Sequence, residues 1–272
     1  LTEEEAKKAP EGLETKKAIG KVLEGYNYKI QVSVLDCTGC GNCADICPAP
    51  EKAIVMKPAV QEIEMEAENW EYALNVMPKE DILNRFTLKG SQFIRPLLEF
   101  NGACPGCGET PYVKLLTQLF GERMMIANAT GCSSIWGGSY PSIPYSTSAA
   151  GKGPAWANSL FENNAEYCYG MYLGAEQLRH KIARLMKQAL EMDIDDSLKN
   201  SFGEWLEGFE DGEMSAKASA KVIRVLNNHP AANNSVIEEI TKYKDYLVKR
   251  SVWGIGGDGW GYDIGYNGVD HV

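Results

Sequence analysis

Apolar residues recur at three- and four-residue steps along residues 165–192, through Cys168, Met171, Tyr172, Ala175, Leu178, Ile182, Leu185, Met186 and Ala189. That is the period of an amphipathic helix, and it is the clearest element the chain predicts. Shorter helices are expected around 197–209, 215–227 and 234–248, and another over 113–120, just after Pro111. Strand patterns are fewer. Lys29-Ile30-Gln31-Val32-Ser33-Val34-Leu35 alternates, residues 53–57 form a short apolar run ended by Pro58, residues 124–128 suit a buried strand, and residues 251–255 read as a strand entering a glycine turn. Residues 1–28 are charged and weakly periodic, as in a solvated connector. Between 59 and 100 the large side chains, among them Trp70, Tyr72, Ile82, Phe86 and Leu97, are spaced too irregularly for one amphipathic helix, so this stretch is expected to be an inter-domain tether packed along another surface. Residues 131–164 are rich in Gly, Ser, Pro and aromatics, as in a long functional loop.

The chain has 272 residues, 44% hydrophobic and 24% charged, enough to bury a core in one or two domains. Its 27 Lys and Arg against 37 Asp and Glu leave a net charge of −10, which repels a phosphate backbone and argues against nucleic-acid binding. No run approaches the roughly 18 consecutive apolar residues of a membrane-spanning helix, so no membrane partner is expected. Leu1-Thr2-Glu3-Glu4-Glu5 opens without a Met or an apolar h-region, and Asp270-His271-Val272 is an equally abrupt end. The expectation is an internal slice of a longer cytoplasmic protein.

Eight cysteines carry most of the chemistry, and they are clustered, unlike the spread cysteines of a small secreted disulfide scaffold. Cys37, Cys40, Cys43 and Cys47 stand in a C-x2-C-x2-C-x3-C-P run ending at Pro48. This is the bacterial ferredoxin spacing, in which three thiolates hold three irons of one [4Fe–4S] cube and the fourth cysteine serves the other cube of a pair. Zinc also uses C-x2-C, but four cysteines so close together and followed by Pro favour iron–sulfur. The run cannot complete a cube alone, and residues 1–36 contain no cysteine.

A second set comprises Cys104 and Cys107 in a C-x2-C loop and Cys132 in Thr130-Gly131-Cys132-Ser133. From spacing alone this set leaves zinc, an iron–sulfur cube and a dithiol switch open. Cys168 falls on the apolar face of the long helix and reads as a packing residue. Gly256-Gly257-Asp258-Gly259-Trp260 follows a strand. Asp-Gly is ordinary turn chemistry, but Gly257 and Gly259 would also admit a diphosphate to the backbone N–H groups, with Asp258 holding a bridging Mg2+. His180, His229 and His271 are isolated and receive no catalytic role.

Taken in order, these segments resemble the pyruvate:ferredoxin (flavodoxin) oxidoreductases over essentially the whole chain. The resemblance rests on Leu35-Asp36-Cys37-Thr38-Gly39-Cys40-Gly41-Asn42-Cys43, on the stretch from Gly102 to Tyr112, on the stretch from Ala127 to Gly138, on the stretch from Gly151 to Glu162, and on Gly256-Gly257-Asp258-Gly259-Trp260. It implies the second half of a 4Fe–4S dicluster ferredoxin-like α+β domain at 1–58, the tether at 59–100, and the N-terminal part of an α/β thiamine-diphosphate-binding domain at 101–272. It further implies that Cys104, Cys107 and Cys132 ligate the cluster nearest the thiamine, that Glu109 and Trp260 lie at the cofactor, and that Asp258 binds Mg2+. The family's activity is oxidative decarboxylation of pyruvate with CoA to acetyl-CoA and CO2, with electrons passing through 4Fe–4S clusters to ferredoxin or flavodoxin, in a homodimer. The chain lacks the family's pyruvate- and CoA-binding portions, so it is expected to be inactive alone. The alternatives are a stand-alone iron–sulfur electron-transfer module without thiamine chemistry and a structural zinc protein.

Overall fold

The computed structural model describes residues 1–139, 143–228 and 234–272. The chain divides into two compact units, Leu1–Leu119 and Phe120–Val272. This differs from the boundaries near 58 and 100 expected from the sequence, because residues 59–100 and residues 101–119 both fold within the first unit.

In the first unit, helix α1 (Glu3–Lys8) begins with a capping box: the Thr2 hydroxyl accepts from the Glu5 amide, and the Glu5 carboxylate accepts from the Thr2 amide. Strands β1 (Lys16–Lys17) and β2 (Asn27–Tyr28) pair antiparallel, and α2 (Asn42–Asp45) follows. A 16-residue helix, α3 (Ala59–Leu74), then occupies the stretch expected to be irregular. Its composition favours helix, with Ala, Glu, Met and Leu after Pro58. Its inward stripe mixes Ile63, Ala67 and Trp70 with Glu66 and Asn69, so apolar periodicity does not reveal it. Short α4 (Leu88–Ser91) leads to α5 (Thr110–Phe120), where Gln118 donates to the carbonyls of Ser91 and Ile94 and Thr117 accepts from the Leu97 amide.

The strands expected over 29–35 and 53–57 do not form. A strand needs a neighbour to complete its ladder. Among the described residues none runs beside these stretches, Ile30, Val32, Leu35, Val55 and Met56 are exposed, and residues 34–36 turn.

The second unit is built on three parallel strands: β3 (Met124–Ala129), β4 (Ala155–Ser159) and β5 (Ser251–Ile255), in the order β4-β3-β5. Ala127 at the centre faces Ala157 on one side and Gly254 on the other. Helix α6 (Cys132–Gly138) and β4 both fall in the region expected to be a loop. From there α7 (Asn164–Leu190), α8 (Asp196–Glu207), α9 (Gly212–Asn228) and α10 (Ser235–Lys242) lead to β5. These helices bury Ile182, Met186, Phe202, Trp205, Val222, Ile240 and Leu247 in one core. The Trp205 indole N–H donates to the Leu247 carbonyl at 3.1 Å. Arg179 is also fully buried there, paired with Glu176 at 3.2 Å, donating to the Phe209 carbonyl at 2.6 Å and lying 4.1 Å from the Phe209 ring centroid.

Candidate cofactor sites

The first cysteine loop exposes Cys37, Cys40 and Cys43, with Gly39 and Gly41 at φ of 68° and 81°. Such left-handed turns let a short arc curl without side-chain crowding. Cys47 is half-buried, and its sulfur accepts the Ala53 N–H at 3.3 Å. That amide, needed for a strand ladder at 53–57, is spent on the thiol instead. The Lys52 ammonium donates to the carbonyls of Ala44 and Asp45 at 2.6 and 2.8 Å, tying the end of α2 to the segment after Cys47. The amides of Ala49, Ala53 and Ile54, with the Lys52 charge, hold the Cys47 thiol below the usual thiol range. A sulfur ringed by N–H donors suits iron–sulfur ligation, in which such hydrogen bonds stabilise thiolate.

The second loop is closed by a Cys107 amide to Cys104 carbonyl bond of 3.0 Å, with Gly106 at φ 76°. Cys104 is exposed and Cys107 half-buried. Glu109 is half-buried at the start of α5, its carbonyl accepting from the amides of Tyr112 and Val113.

In the second unit the carboxyl ends of β3 and β5 lead into Thr130-Gly131-Cys132 and Gly256-Gly257-Asp258-Gly259. The sheet therefore brings exposed Cys132 and the glycine turn to one edge, the edge at which open parallel sheets bind ligands. Asp258 is exposed. A Cβ at Gly257 or Gly259 would have nothing within 4 Å, so both backbone positions are open to a ligand, and an exposed carboxylate between them suits a Mg2+-diphosphate. Trp260 covers Gly256, its ring 2.6 Å from where a glycine Cβ would be.

The same edge holds a side-chain network not singled out from the sequence. Asn128 donates to the Asn158 side-chain oxygen at 3.2 Å, Asn158 to the Thr130 hydroxyl at 2.9 Å, and Ser159 to Asn164 at 2.7 Å. The signal available was a polar Asn next to the end of each of two strands.

Cys104, Cys107 and Glu109 belong to the first unit, and Cys132, Asp258 and Trp260 to the second. Among the described residues, no three His, Cys, Asp or Glu side chains converge as a metal site. Cys168 packs as expected: it is half-buried, 3.4 Å from where a Gly254 Cβ would stand, and burial pushes its thiol up. Of the histidines, His180 and His271 are exposed, and His229 lies outside the described residues. No described helix is long and apolar enough to cross a membrane.

No family model matches the chain. It is 50% identical over 268 residues to a pyruvate:ferredoxin oxidoreductase of Moorella thermoacetica, covering 97% of this chain and 23% of that protein. It is 51% identical over 277 residues to a pyruvate-flavodoxin oxidoreductase of Enterobacter agglomerans, covering all of this chain and 23% of the relative. A mitochondrial pyruvate dehydrogenase [NADP(+)] of Euglena gracilis is 47% identical, with all of this chain matched to 15% of it. The chain thus spans less than a quarter of the length of these relatives. About half identical to them along its length, the chain is similar to one segment of pyruvate:ferredoxin and pyruvate-flavodoxin oxidoreductases.

Proposed function

We propose that the chain is the electron-transfer and diphosphate-binding segment of an enzyme that oxidatively decarboxylates pyruvate with CoA to acetyl-CoA and CO2, passing electrons to ferredoxin or flavodoxin. The observation that carries this reading is whole-length similarity to pyruvate oxidoreductases in a chain that bears a C-x2-C-x2-C-x3-C-P run. When bound, thiamine diphosphate supplies the electron sink for decarboxylation and [4Fe–4S] clusters supply low-potential one-electron acceptors.

In this reading residues 1–58 are half of a dicluster ferredoxin-like domain, residues 59–100 a tether, and residues 101–272, which include the whole second unit, the front of a thiamine-diphosphate-binding domain. Cys37, Cys40 and Cys43 hold one cube and Cys47 reaches to its neighbour. Cys104, Cys107 and Cys132 hold the cube nearest the thiamine. Gly257 and Gly259 open the backbone to the diphosphate, Asp258 binds its Mg2+, and Glu109 and Trp260 flank the cofactor. The working enzyme is a homodimer in a reducing compartment such as the cytoplasm, where exposed thiols persist.

Anaerobic reconstitution with iron and sulfide tests the cluster assignment. Equimolar iron and acid-labile sulfide, with an electron paramagnetic resonance signal after dithionite, is expected, and Cys37→Ser or Cys104→Ser should lower both contents. Zinc uptake without sulfide would overturn it. Isothermal titration with thiamine diphosphate and Mg2+ tests the glycine turn, where Asp258→Asn should weaken binding. The chain alone is expected to give no pyruvate-dependent dye reduction.

A further inference from the structure

Two stretches of the first unit hold apolar side chains in solvent among cations. Residues 16–22 carry Lys16, Lys17 and Lys21, all exposed, with Ile19 87% and Val22 61% exposed between and beside them. Residues 85–89 carry Arg85 and an exposed Lys89, with Phe86 56% and Leu88 90% exposed between these two. Neither stretch contains an acidic residue, although the chain as a whole has a net charge of −10, and acidic residues resume only at Glu14, Glu24 and Asp81. The stretches are neighbours: the Lys89 ammonium donates to the Ile19 carbonyl at 2.9 Å, so the two backbones lie within the length of one lysine side chain. Both are anchored turns. Gly90 is buried so tightly that a Cβ there would stand 1.9 Å from the Asn84 carbonyl oxygen, and the Thr87 hydroxyl accepts its amide at 3.0 Å. On the other stretch the Ala18 amide donates to the Tyr26 carbonyl at 2.9 Å, and buried Leu23 donates to the Gly20 carbonyl at 2.9 Å.

Single exposed apolar residues are ordinary, but four on adjoining anchored turns make a patch of the kind that marks an interaction site. Resting on the reading above that ferredoxin or flavodoxin is the acceptor, we infer that this face docks the acidic carrier protein. Transient complexes of this kind use small interfaces, with apolar contact at the centre and charges at the rim that speed and orient the encounter. A cationic face on an anionic chain also selects the orientation, because an acidic partner is repelled elsewhere. A second copy of the chain fits the face poorly, since pairing about a two-fold axis would set lysines against lysines.

The test is binding of the chain to an FMN-loaded flavodoxin of strongly negative net charge, measured by biolayer interferometry at low and high salt. Wild type should bind, less tightly as salt rises. Lys17→Glu/Lys21→Glu should lower the affinity about tenfold at low salt, chiefly by slowing association. Leu88→Ser should lower it at both salt concentrations. Arg184→Glu/Lys187→Glu, an equal charge change at exposed positions of α7 in the second unit, should stay within roughly twofold of wild type because the charges there are screened from the face. Melting temperature and uptake of iron and sulfide should be the same in all four proteins. Equal losses in the two charge-reversed variants would overturn the inference, as would wild-type affinity in both Lys17→Glu/Lys21→Glu and Leu88→Ser, or no binding by wild type. Self-association of the chain that Leu88→Ser abolishes would overturn it too, giving the face to a second copy. Flavodoxin binding that ignores the patch would leave the oxidoreductase reading standing, whereas failure to take up iron and sulfide would strike that reading and not the patch.

Discussion

A Cβ placed on Gly256 would lie 2.9 Å from that of Ala129, closer than such atoms ever pack, so the turn after β5 is pressed directly onto the end of β3. Ala129 is fully buried and cannot yield. Gly256→Ala is expected to cost about 1–3 kcal/mol through overpacking, read by urea denaturation, and to weaken thiamine diphosphate binding as the turn shifts. Gly257→Ala, whose methyl meets nothing in the free protein, should leave stability within roughly 0.5 kcal/mol yet still weaken ligand binding. If both variants bind the diphosphate as wild type does, the turn is structural only.

Arg179 offers a second measurement. Its side chain is 1% exposed, and its charge is balanced by Glu176 within one helical turn. Burial lowers its pKa while Glu176 raises it, so the pair depends on the carboxylate. Glu176→Gln is expected to destabilise the second unit by about 2 kcal/mol, less than the roughly 3–5 kcal/mol of a fully enclosed pair, because Phe209 still accepts from the guanidinium. Arg179→Met, of similar length and without a charge to compensate, should be the milder change. The reverse order in thermal or urea unfolding would show that the ion pair adds nothing.

Cys168 gives a pH dependence with a definite sign. Burial raises its folded-state pKa above the ordinary thiol value, so the folded form retains a proton that the unfolded form has released. Its contribution to stability is full below the unfolded thiol pKa and is lost as pH climbs from there through the raised folded value. Alkylation of Cys168, followed by peptide mass spectrometry, should accordingly begin at higher pH than for an ordinary exposed thiol. Cys168→Ala should flatten the alkaline loss of stability and leave iron content unchanged.

Two exposed glycines, Gly170 and Gly174, sit one turn apart inside α7 with nothing within 4 Å of either Cβ position. Replacing each with Ala should raise stability by roughly 0.8–1 kcal/mol, since helical glycine costs that much in backbone entropy. Circular dichroism melts of the single and double variants would check both the gain and its additivity.

Much of the second unit was legible because its elements bury clean periodic faces. The pattern over 165–192 corresponds to α7 at Asn164–Leu190, that over 124–128 to β3, and residues 251–255 match β5. The helix expected at 234–248 is shorter, α10 ending at Lys242 before a tight turn over Lys244–Tyr246. Strand β4 was hidden because Ala155, Ala157 and Asn158 have weak strand preference, and only pairing with β3 makes them extended. In the first unit α3 was hidden by Glu66 and Asn69 on its inward stripe. The alternating run at 29–35 misled for the opposite reason: alternation states which face could be buried, not whether a neighbouring strand is there to bury it. Motif spacing pointed to Cys37, Cys40, Cys43, Cys47 and the Gly257-Asp258-Gly259 turn, whereas Glu109, Trp260 and the joint role of Cys104, Cys107 and Cys132 rest on the family resemblance. What spacing could not show was the asparagine network, because it joins strands distant in sequence.

The pairing of β3 with β5 also orders events in time. Met124 faces Ser251 across the sheet, with α6, β4 and the four helices α7 to α10 between them in the chain. Closing so long a loop carries an entropy cost that local helices do not meet, so non-local parallel pairing is slow to form. The helical core can assemble early, whereas Asp258 reaches the sheet edge that also carries Cys132 only when the last strand docks. A newly made chain therefore has Cys132 in place before the glycine turn that follows β5, and any ligand that needs the whole sheet edge must wait for the far end of the unit.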